Sequence, residues 1–125
     1  MMAAPARRER PALRPRLAAD FLREGHTVEV PLGGSSMRPL FAPGDTLRIR
    51  PARAADLRPG DIIIVDLGGQ LLCHRLVYVA GDHFVSRGDD APEHDPPLPL
   101  DAIIGRVDVP PSPHALWCAV RALLR

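Results

Sequence analysis

The chain has 125 residues, 46% hydrophobic and only 4% aromatic, enough for one small domain with a modest aliphatic core. Its formal net charge of +1 gives no footprint for nucleic acid, and two cysteines, Cys73 and Cys118, are too few for a disulfide scaffold and fit a reducing compartment. No stretch approaches the roughly 20 consecutive apolar residues that span a bilayer.

The first residues form a basic arm, Arg7-Arg8-Glu9-Arg10 with Arg14 and Arg16, read as a soluble terminus or a contact for an acidic surface. Leu13, Leu17 and Phe21 then recur at helical spacing and Gly25 stops the run, which predicts a short N-terminal helix. Asp20, Arg23 and Glu24 interrupt this segment, so it is not a signal peptide. Strands are expected near 27–32, 45–50, 61–67, 70–80, 82–87 and 102–109, divided by Gly-Asp and Pro-Gly punctuation. Six short strands in this length predict a mainly β fold, a coiled and partly closed sheet between two short helices. After the proline run Pro110-Pro111-Ser112-Pro113, the residues Leu116, Trp117, Val120, Leu123 and Leu124 form one apolar stripe on a C-terminal helix flanked by Arg121 and Arg125. That stripe suits a membrane surface, a partner protein or the domain's own sheet. The expected organisation is thus an arm and helix over 1–26, a β domain over 27–109, and a linker and amphipathic helix over 110–125.

Three segments carry chemistry: Gly34-Ser35-Ser36-Met37-Arg38-Pro39, His74-Arg75, and Arg87-Gly88-Asp89 with Asp95 beyond. A serine hydroxyl is a poor nucleophile at neutral pH; it needs a base to take its proton, and the base needs an acceptor to hold its tautomer. All sixteen basic residues are arginine, and a guanidinium cannot lose its proton in a protein, so a Ser-Lys dyad is excluded. Histidine, with an ordinary pKa of about 6.5, suits proton transfer near neutrality. Asp89, Asp90, Glu93 and Asp95 all lie in one stretch and leave the acidic member open. Cys73 stands beside His74, but neighbours on a strand point to opposite faces, so Cys73 is expected in the core. The five histidines show no metal-ligand spacing, and neither a metal nor another cofactor is expected.

From about residue 28 to 109 the ordered segments resemble the signal peptidase I superfamily of S24/S26-type serine peptidases, which also contains self-cleaving repressors. The likeness extends to Pro43-Gly44-Asp45, Pro59-Gly60-Asp61-Ile62-Ile63 and Ile103-Ile104-Gly105-Arg106-Val107. It implies the signal-peptidase-type β fold, with Ser36 as nucleophile at the start of a turn between the first two strands. His74 falls where the archaeal and endoplasmic-reticulum branch has its histidine base. Asp95 is implied as the partner of His74, with Asp89 nearby holding the site together; the family usually has asparagine where Asp90 stands. In some members a serine hydroxyl two residues before the nucleophile completes the oxyanion hole, whereas this chain has Gly34 there, leaving a backbone N–H or Ser35 to substitute. The activity implied is a serine endopeptidase that cleaves a leader or signal segment from a precursor polypeptide through an acyl-enzyme, after small residues. Members are normally membrane-anchored; without a span, this chain is expected in the cytoplasm or peripherally on the membrane. The alternative is a non-catalytic peptide-binding or assembly module that retains the fold. A self-cleaving repressor would need a DNA-binding domain and a lysine base, and the sequence offers neither.

Overall fold

Four consecutive β-branched residues, Ile62 to Val65, cannot share one face of a strand, because successive side chains alternate. The computed structural model, which describes residues 14–124, buries them on both faces. Ile62 and Ile64 join Leu47, Ile49, Cys73, Ile104 and Val107 in one cluster, while Ile63 and Val65 join Leu76, Phe84 and Ile103 in a second. This doubly buried strand is the middle of a seven-stranded sheet in the order β1-β2-β7-β3-β4-β5-β6. The strands are β1 (Val28–Pro31), β2 (Thr46–Pro51), β3 (Ile62–Asp66), β4 (Leu71–Ala80), β5 (His83–Arg87), β6 (Leu98–Pro99) and β7 (Ile103–Val107). Every neighbouring pair is antiparallel. The sheet is open, with β1 and β6 as its edges.

The six expected strands are all present, each within a few residues of its predicted bounds. The seventh, β6, has only two residues, one of them a proline, a composition that only an edge strand tolerates and that carries no alternating pattern to read.

The N-terminal helix α1 (Pro15–Arg23) starts on a proline, whose missing N–H costs nothing in a first turn. It stops at Gly25, whose φ of 95° is left-handed, with Gly25 N–H donating to the Leu22 carbonyl and His26 N–H to that of Phe21. Its buried face is Ala18, Ala19 and Leu22, while Leu17 and Phe21, whose spacing announced the helix, are exposed. Leu13 and the Arg7–Arg10 arm lie outside the described residues. Small side chains suit this face because the helix lies close on the sheet: a Cβ at Gly105 would sit 3.5 Å from Leu22 Cδ1.

The C-terminal helix α2 (Pro113–Leu124) begins after Ser112, whose Oγ accepts the Ala115 N–H at 2.9 Å as an N-cap. It turns Cys118 inward and leaves Leu116, Trp117, Val120, Leu123 and Leu124 exposed, so packing on the domain's own sheet does not cover the apolar stripe. Arg121 stands over the Trp117 ring at 5.6 Å. Among the described residues, no helix is long and apolar enough to cross a membrane.

Candidate active site

Ser36 lies in the turn region between β1 and β2, which is folded by bonds from Arg38 N–H to the Ser35 carbonyl and from Phe41 N–H to the Met37 carbonyl. Met37, with no exposed surface, roots the turn in the first core cluster, so Ser36 has little freedom to move. β4 supplies His74, nearly buried on the rigid sheet. The Ser36 Oγ is 3.0 Å from His74 Nε2, and the ring's other nitrogen, Nδ1, is 2.5 Å from Asp95 Oδ2. With the proton on Nδ1, the imidazole donates to the carboxylate and presents an unprotonated Nε2 to the serine hydroxyl. The sequence-predicted Ser36, His74 and Asp95 therefore form one continuous hydrogen-bonded chain.

Asp89 belongs to a separate, adjoining feature. Its two oxygens accept Arg75 Nε at 2.8 Å and Nη2 at 2.7 Å, a bidentate pair with side chains only 5% and 2% exposed, and Arg75 Nη1 also donates to the Gly60 carbonyl at 2.8 Å. Because Arg75 directly follows His74, this pair ties the histidine strand to the Gly88–Asp90 segment. That segment in turn presses on the serine turn: Asp89 N–H reaches Met37 Sδ at 3.5 Å and Asp90 N–H donates to the Ser36 carbonyl at 2.8 Å. The Asp90 side chain is exposed, so only its backbone holds the site.

Gly88 is required by space. A Cβ there would stand 2.8 Å from the Ser36 carbonyl oxygen, 2.9 Å from Ser36 Cβ and 3.1 Å from His74 Nε2, so any side chain would push the Ser36 hydroxyl away from the His74 ring. Gly34 is the opposite case: a Cβ at Gly34 would meet nothing within 4 Å. Gly34 and Ser35 are both exposed, on the turn that carries Ser36.

Sequence reasoning missed Ser86 on β5. Its hydroxyl donates to Asp95 Oδ2 at 2.7 Å and its carbonyl accepts Asp95 N–H at 2.8 Å, although nothing about a lone serine in an apolar strand announces this. Gly88 could have been found, since glycine in an otherwise constrained segment marks close backbone approach.

Cys73 packs in the first core cluster, away from the imidazole of its neighbour. Burial, reinforced by the negative charge of Asp89, pushes its thiol up to about 12. At pH 8 the folded protein should therefore leave Cys73 unalkylated by iodoacetamide, with modification appearing only after denaturation, as peptide mass mapping would show. The unfolded thiol ionises near 9.0 while the folded one stays neutral, so stability is undiminished below that pH and declines as pH rises towards 12.

A family model described as Peptidase S24-like matches residues 10–107. The chain belongs to the Peptidase S24-like family. The match includes α1 and the complete relay of Ser36, His74 and Asp95, and it ends at the last residue of β7. Neither curated proteins nor solved structures give a match. Membership in the S24-like family supports a serine-peptidase fold at a coarse level. No group of three or more His, Cys, Asp or Glu residues that could hold a metal ion occurs among the described residues.

Proposed function

We propose that this S24-like chain is a serine endopeptidase that removes a leader or signal segment from a precursor polypeptide. The observation that carries the reading is the chain of bonds from Ser36 Oγ through both ring nitrogens of His74 to Asp95 Oδ2. In the first step Ser36 Oγ bonds to the scissile carbonyl carbon as its proton passes to His74 Nε2, and Asp95 holds the imidazolium that results. His74 then gives that proton to the departing amine, the C–N bond breaks and an ester to Ser36 remains. A water molecule, deprotonated by His74, hydrolyses the ester and restores the hydroxyl. General base catalysis of this kind contributes about 10²–10⁴ in rate.

The surroundings suit a peptide. Beside Ser36 lies a cavity of about 300 Å³ lined mainly by Val30, Leu32, Leu47, Ile49, Ile64 and Leu71, which favours an apolar side chain next to the cut. β1, which precedes the serine turn, is an edge of the sheet, the kind of place where an extended peptide adds as a strand.

Labelling with a fluorophosphonate, followed by peptide mapping, tests the reading without a known substrate. The expected adduct is on Ser36, and it should be lost in His74→Ala, whose serine has no base. Wild-type protein that stays unlabelled, or that carries label on another serine, would contradict it and favour a peptide-binding module that keeps the fold without the reaction.

A further inference from the structure

We propose that Ser86 is a positioning residue for the reaction, acting through Asp95; this inference rests on the peptidase reading. Asp95 lies in the irregular segment between β5 and β6, where no sheet ladder fixes its backbone. Ser86 supplies the missing restraint from a rigid strand. It is 1% exposed, its carbonyl receives the Asp95 N–H at 2.8 Å, and its hydroxyl donates to Asp95 Oδ2 at 2.7 Å. That same oxygen accepts His74 Nδ1–H, so Ser86 and His74 converge on one atom from two adjacent strands, β5 and β4.

The convergence has a chemical purpose. A carboxylate on a loop can rotate about its side-chain bonds, and the imidazolium formed during turnover is stabilised only while Oδ2 stays in line with Nδ1. A hydroxyl on that oxygen fixes the rotation before substrate arrives, so no reorganisation is needed as charge develops. Of the other charged groups around this loop, Arg75 and Asp89 pair with each other, Arg87 donates to the carbonyls of Ala91 and Pro92, and Asp90, Glu93 and His94 are exposed. None of these bonds Asp95 Oδ2, which is held by His74 Nδ1 and Ser86 Oγ.

The test is the titration of His74 followed by NMR in wild-type protein and in Ser86→Ala, beside kcat and KM on a cleaved peptide. Losing the hydroxyl should loosen Asp95 and weaken its hold on the imidazolium. The His74 midpoint should then move away from the wild-type value, and kcat should drop about 10- to 100-fold with KM nearly unchanged. Ser86→Thr, which keeps a hydroxyl on Cβ, should recover most of both. A His74 midpoint in Ser86→Ala equal to that of the wild type would overturn the proposal, even if the rate fell, because a merely structural defect lowers the amount of active protein without moving a titration. The titration needs no substrate. If Ser36 resists labelling in the wild type, the peptidase reading fails, while the His74 midpoints still decide whether Ser86 positions Asp95.

Discussion

Asp95→Asn should lower turnover on the order of 10⁴-fold, whereas Asp90→Asn should leave it within about twofold. The two aspartates are five residues apart in one acidic segment, yet they have unrelated surroundings. Asp95 accepts from both His74 and Ser86, and an amide in its place can present N–H to Nδ1 and stabilise the wrong tautomer, with the proton on Nε2 and no lone pair for the serine. Asp90 touches the site only through its backbone N–H to the Ser36 carbonyl, which asparagine keeps. The check is kcat/KM for both variants on one peptide, with circular dichroism showing equal folding. A severe loss in Asp90→Asn with a mild one in Asp95→Asn would reverse the assignment.

Asp89→Asn should instead damage the fold. The Arg75–Asp89 pair is almost wholly out of water, and neutralising one partner strands a buried guanidinium, a change that costs about 3–5 kcal/mol. For a chain of this size that corresponds to a fall in Tm on the order of 15 °C. The same substitution loosens the Gly88–Asp90 segment that bears on Ser36, so activity should fall below the level explained by the unfolded fraction. Replacing both partners, as Arg75→Met with Asp89→Leu, removes the stranded charge and should recover a large part of the stability without recovering the activity. Thermal melts of the single and double variants check this; an unchanged Tm in Asp89→Asn would show that the pair contributes nothing to the fold.

The residues that could be read in advance were those whose chemistry is scarce. With no lysine in the chain a histidine is left as the base, family resemblance singles out His74 among the five, and the Pro-Gly and Gly-Asp punctuation marks a strand near 61–67 without showing that it is the central one. Asp95 was separable from Asp89, Asp90 and Glu93 only through family resemblance, because composition cannot say which carboxylate of an acidic loop folds back onto a histidine. Ser86 was illegible for a similar reason: its partner lies nine residues away across an irregular segment, and no period or spacing encodes that contact. Helix α1 was detectable from Leu17 and Phe21, but its buried face was set by close approach to the sheet, which selects alanine and which hydrophobic spacing does not reveal.

The central claim, that Ser36 and His74 act as one catalytic unit on a polypeptide, is tested most directly by following cleavage of a candidate precursor with mass spectrometry. Wild type, Ser36→Ala, His74→Ala and the double variant are compared, beside a binding assay on the same precursor. Because the two side chains perform one proton transfer, each single substitution should abolish cleavage to a similar extent and the double should be scarcely worse, while binding persists in all four. Wild-type protein that binds the precursor and never cuts it, with Ser36→Ala binding equally well, would contradict the account.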